Sequence, residues 1–160
     1  MSRATIVVTT AALALTLVAC ATAPQPQPAA PPPLASAPPA PGIASEDLVG
    51  RWGFASFHKE ADRARTIVQA RGQCGHPYVI GRGPRGGVLM HLADQPQPTE
   101  LRTKAGGDGR RYLGPDGPAG DPADREIVSF DGRVLTMRWI DPEIAGRYGT
   151  AVYVRCAPRA

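Results

Sequence analysis

Three cysteines and three histidines carry most of the chemistry open to this chain: Cys20, Cys74 and Cys156, with His58, His76 and His91. A histidine base needs a nucleophile and an orienting group beside it. None of the three lies in a Gly-x-Ser-x-Gly or His-Glu-x-x-His pattern, so no catalytic residue is assigned and the chain reads as a non-enzyme. Cys74-Gly75-His76 together with Cys156 could supply three metal ligands. Structural zinc calls for a fourth ligand and for paired short spacings that are missing here, so neither a metal nor a cofactor is assigned. The segment GRGPRGG, Gly81 to Gly87, has glycines and arginines able to cradle an anion through backbone N–H groups. It lacks the Gly-Lys-Ser/Thr ending of a phosphate loop and reads as a wide hairpin. Asp108, Asp116, Asp121 and Asp124 fall in a glycine- and proline-rich run whose spacing does not fit a calcium loop and suits turns instead. HLADQPQPTELR, from His91 to Arg102, holds two prolines between apolar strands, which predicts a stiff exposed loop suited to contact.

Cys20 stands apart because of what flanks it. Arg3 is followed by an apolar and hydroxyl run from Ala4 to Val18, short of the roughly 20 residues a membrane span requires, and residues 1–19 read as an export signal. The box Leu17-Val18-Ala19-Cys20 resembles that of bacterial lipoproteins. The resemblance implies a diacylglyceryl group on the Cys20 sulfur, cleavage before it and acylation of the new amino terminus; several chains hold a protein to a membrane where one is marginal. Ala21, where inner-membrane retention often uses Asp, implies the outer membrane. Residues 20–44 are then the anchor and an uncharged Pro/Ala-rich tether, extended at about 3.1 Å per residue in polyproline II. With Cys20 occupied by lipid, the resemblance leaves Cys74 and Cys156 to pair in an oxidising compartment, a cross-link worth roughly 4 kcal/mol.

Residues 45–160 make one small domain. All 14 acidic residues lie in it, and the whole chain carries a net charge of only +4. A charge so mild and so evenly mixed gives no footprint for nucleic acid. The partner implied at this stage is the membrane, through the lipid.

Helical periodicity is confined to about His58 to Arg71, with Ala61, Ala64, Ile67 and Val68 on one face and Gly72 as a stop. The remainder reads as short strands: RWGFASF, PYVIG, GGVLMHL, TELRTK, RRYLG, REIVSF, RVLTMRW and TAVYVRC. Asp131-Gly132 marks a tight hairpin between two of them. The expected fold is mainly β, a small antiparallel barrel or coiled sheet of seven to eight strands with one packed helix. Trp52, Met90, Leu135, Met137, Trp139 and Val152 are its expected core.

Gly50-Arg51-Trp52 in the first strand and Arg155 in the last resemble the lipocalin and calycin pattern, in which a tryptophan closes the barrel floor beneath an arginine. That implies a small apolar ligand, with Trp52 and Arg155 near it. The segment ASEDLVGRW, Ala44 to Trp52, is similar to the start of the small bacterial metalloprotease-inhibitor barrels, which implies that Ser45 and Leu48 approach a protease. The expected function is a lipid-anchored envelope protein presenting a β-domain to a small apolar ligand or an envelope partner. A periplasmic protease inhibitor and a structural envelope component are the alternatives.

Overall fold

The alternation of apolar and polar residues along each strand segment gives every strand two faces, and closing the sheet turns one face into a lumen. In the computed structural model, which describes residues 42–157, that closure is complete. Eight antiparallel strands run in sequence order around the barrel: β1 (Gly50–Phe57), β2 (Tyr78–Arg82), β3 (Val88–His91), β4 (Pro98–Ala105), β5 (Arg111–Gly114), β6 (Arg125–Phe130), β7 (Val134–Trp139) and β8 (Thr150–Arg155). The seam joins first strand to last, from Trp52 opposite Arg155 to Phe57 opposite Thr150. Between Ile127 and Ser129 the β6–β7 register shifts, and Val128 faces solvent. The signal, Cys20 and nearly all of the tether lie outside the described residues.

Three helices accompany the strands: α1 (Ser45–Leu48), α2 (Arg63–Gly72) and α3 (Pro142–Tyr148). One helix was expected from the sequence, and α3 corrects that. Its signals are local: Asp141 caps it by accepting the Ile144 N–H at 2.9 Å, Pro142 sits in its first turn, and Gly149 at φ 69° ends it. A helix of two turns is too short to show a period. The other helix also begins later than its periodicity suggested. β1 runs on to Phe57, a 3₁₀ turn spans Glu60–Asp62, and only then does α2 start. Its buried residues are Thr66 and Ala70, whereas Val68 is 66% exposed.

The small side chain at Ala70 explains that orientation. On β1, Gly53, Ala55 and Phe57 point out of the barrel toward α2, and a Cβ on Gly53 would lie 1.9 Å from the Ala70 carbonyl oxygen. Helix and strand therefore meet backbone to backbone, which a larger residue at either place would prevent. Ala55, Phe57, Ala70, Val152 and Val154 form this outer cluster, partly covered by Ile67 and Val134. Val152 thus belongs to the layer under α2 and not to the lumen. A disulfide between Cys74 and Cys156 ties the end of α2 to the end of β8, with 5.6 Å between the Cα atoms. It also removes the metal alternative, since both thiolates are used.

Inside the barrel, Leu48, Trp52, Ile80, Val88, Met90, Leu101, Leu113, Leu135 and Met137 are fully buried. They fill the end at which α1 enters. Trp139, expected among them, is only half-buried, because it stands above this plug at the opposite end.

Candidate functional site

The packed half of the barrel is sealed by an arginine. The Arg155 guanidinium lies 4.2 Å from the centroid of the Trp52 ring. It donates to the carbonyls of Gly132 at 2.9 Å and Val49 at 3.0 Å, and also to that of Asp47. Trp52 Nε1 donates to the Leu48 carbonyl at 2.9 Å. Cation–π contact and charge-assisted hydrogen bonds together pin α1 against the barrel end. The structure thus brings Trp52, Arg155 and Leu48 together in a floor. Ser45 sits on α1 at its edge, half-buried, and none of the four lines the open end of the barrel.

The opposite end is open. Side chains that continue the lumen-facing rows past the plug surround a cup of about 260 Å³. Phe54 and Ser56 come from β1, Tyr78 from β2, His91 from β3, Arg125 from β6, Trp139 from β7, and Ala151 and Tyr153 from β8. Phe54 is 43% exposed although it points into the barrel, because no described side chain covers it at this end. The Phe54 and Tyr153 rings are 5.0 Å apart, Tyr78 and Tyr153 5.7 Å, and Tyr78 and His91 5.9 Å. These distances belong to tilted and edge-on aromatic contacts that hold rings in place. The Tyr78 hydroxyl also accepts the His91 backbone N–H at 2.9 Å. Burial pushes the Tyr153 phenol up to about 12, so at neutral pH it presents an uncharged O–H.

The rim is a strap between two connections. Asp94, in the β3–β4 loop, adopts φ 59°, a left-handed conformation uncommon outside glycine. Its carboxylate accepts from Arg147 Nη2 at 2.6 Å and from the Tyr148 hydroxyl, both on α3. The Tyr148 hydrogen bond and the Arg147 guanidinium hold Asp94 below the usual carboxylate range. The loop that the sequence marked as a stiff contact surface is thereby part of the cup's edge.

Of the histidines, only His91 lines the cup, and its ring nitrogen Nδ1 lies 3.3 Å from the Tyr78 hydroxyl. His58 and His76 are exposed on connections outside it. Among the described residues no group of three His, Cys, Asp or Glu side chains is placed to hold a metal. A wider groove of about 590 Å³ lies beside the disulfide and is lined by Arg71, Arg133 and Arg155, without an aromatic wall.

GRGPRGG does cradle an anion, but the anion is the chain's own. Glu100 on β4 accepts from the backbone N–H groups of Arg85 at 2.9 Å and Gly87 at 2.8 Å, and from Arg85 Nε at 3.1 Å. Burial pushes this carboxyl up, yet the Gly87 N–H and the Arg85 donors outweigh it and hold it below the ordinary range. Asp131 is lowered by the Val134 and Arg133 N–H groups, and Asp108 by the Arg110 N–H.

A pH dependence follows from these four carboxyls. Each has a folded value below its unfolded one, so its contribution to stability is complete above the unfolded value and is lost as pH falls through the folded one. The thermal midpoint should be level from neutrality down to about pH 5 and fall steeply below about pH 4. Tyr153, raised in the folded state, adds the opposite limb: stability declines as pH rises from about 10 toward 12. Differential scanning fluorimetry across pH checks both limbs.

Arg125 is the cup residue that sequence reasoning passed over. It reads as the first polar position of REIVSF, and nothing local distinguishes it from a surface arginine. In the structure it is 3% exposed, with its guanidinium carbon 4.0 Å from the Trp139 ring centroid and Nη2 donating to the His91 carbonyl. Set against known proteins, the chain matches no family model, no curated protein and no solved structure.

Proposed function

We propose that this chain is a non-catalytic, lipid-anchored envelope protein that takes up a small, mostly apolar ligand in the open end of its barrel. The observation that carries this reading is the cup itself: four aromatic rings and Phe54 exposed inside a barrel whose other half is packed solid. Sites for small molecules are concave, largely apolar and preformed, and barrel mouths are a common place for them; about 260 Å³ lies just under the usual lower bound of about 300 Å³ and so suits a compact molecule. The box ending in Cys20 supports the anchor, and the proline tract behind it supports a domain held away from the bilayer at the outer membrane. The inhibitor alternative would use the other end, where α1 leaves Glu46 and Asp47 exposed but seals Leu48 into the floor. The aromatic cup favours the ligand reading.

Native mass spectrometry of the full chain extracted from a diderm host tests both parts. A mature mass beginning at acylated Cys20, with a small molecule released on denaturation, is the expected result. An unlipidated chain overturns the anchor. A protein that stays bare when challenged with small apolar compounds overturns the cup.

A further inference from the structure

We infer that the molecule bound in the cup carries a carboxylate, and that Arg125 is the residue that receives it. The inference rests on the cup being a ligand site and adds the chemistry of its occupant.

Arg125 is a buried cation without a counter-ion. The other two charged side chains buried this deeply among the described residues each have an opposite charge at hand: Glu100 has Arg85 at 3.1 Å, and Asp124 has Lys104 at 2.6 Å. Arg125 enters no ion pair among the described residues. One of its five N–H donors is spent on the His91 carbonyl, and its Nε is buried with no hydrogen-bond partner. A buried charge is tolerated where it is paired, and an orphaned donor is costly. The carboxylates that could serve are committed elsewhere. Asp94 on the rim is held by Arg147 and Tyr148. Asp124, one residue before Arg125, is held by Lys104. Glu126, one residue after, pairs with Arg138 at 2.5 Å.

Among the described residues no carboxylate is left for Arg125, so its counter-ion comes from outside them, and the cup is where Arg125 lines open space. Stacking on Trp139 fixes the plane of the guanidinium, and a fixed fork suits the two oxygens of a carboxylate. A phosphate monoester would bring close to two negative charges to a single cation among aromatic walls, so one carboxylate is the better match. The rest of the ligand meets Phe54, Tyr78 and Tyr153 and is apolar. It is either a short acyl chain or an aromatic ring, and both present the same head group.

Isothermal titration of the intact chain with two matched pairs separates the possibilities: octanoate against octanol, and hydrocinnamate against hydrocinnamyl alcohol. The expected result is that the acid of at least one pair binds about tenfold or more tighter than its alcohol, and that Arg125→Gln abolishes this preference of acid over alcohol. Octanoate prevailing names an acyl source, and hydrocinnamate an aromatic one. Equal affinities for acid and alcohol overturn the role of Arg125 and leave the cup standing. No binding by any of the four overturns the cup and this inference with it. The wild-type ratio of acid to alcohol decides the matter even where the Arg125→Gln chain does not fold.

Discussion

Replacing Asp124 by alanine should lower the free energy of unfolding by about 3 to 5 kcal/mol, the cost typical of removing one partner from a buried ion pair. The Asp124 side chain is fully buried and lies 2.6 Å from Lys104 Nζ, itself largely covered. Asp124 also accepts the Gly120 N–H at 2.9 Å, and its carbonyl accepts the Ile140 N–H at 3.1 Å. The substitution strands the ammonium of Lys104 and frees the β5–β6 connection at once. Urea unfolding should show the loss as a lower midpoint at an unchanged slope. Adding Lys104→Met should recover part of it, since that removes the stranded charge, and a double-mutant cycle would give the coupling directly. Asp124 immediately precedes Arg125, so the same substitution should weaken binding in the cup although Asp124 does not line it.

Removing the disulfide by the pair Cys74→Ala and Cys156→Ala should cost about 4 kcal/mol, the loop-entropy figure for a cross-link spanning 82 residues. For a domain of this size that lowers the melting temperature on the order of 15 °C. The bond sits at the floor end, joining α2 to the strand that closes the barrel, and it touches no residue of the cup. Melting should therefore fall while ligand affinity at low temperature stays the same. Amide exchange should quicken first in α2, whose remaining hold is the packing of Ala70 and Ile67 on the outer cluster of β1 and β8 and the Arg63 hydrogen bond to Ser129. A simultaneous loss of affinity would mean that the floor and the cup are not independent.

Much of this molecule was legible from period-two alternation. All eight strand segments read from the sequence are strands, and Asp131-Gly132 is the hairpin turn, with Asp131 Oδ1 accepting the Arg133 and Val134 N–H groups. Alternation tells which residues share a face, but not how far along the barrel axis that face remains covered. Trp139 and Met137 fall in one apolar pattern, yet Met137 is in the plug and Trp139 is in the cup. Val152 obeys the same pattern on the opposite face, where α2 and not the lumen covers it. Sequence also cannot show which arginine is buried. Arg85 and Arg125 look alike in the chain, and Arg155 is set apart only by its place in the last strand; one holds Glu100, one stacks on Trp139 in the cup, and Arg155 laces α1 to the floor. Only the closure of the sheet distinguishes their roles, because each depends on partners from strands far apart in sequence.

The seam between β1 and β8 carries a consequence for how such a chain is made. Trp52 can meet Arg155 only when nearly the whole domain has emerged, so the barrel has no closed intermediate that lacks its last strand. Until then two strand edges and the aromatic interior are open to neighbouring chains, the condition under which sheets associate edge to edge. Contacts of such long sequence separation form slowly. The finished ring has no edges to offer, and the hazard is therefore confined to the interval before β8 closes on β1.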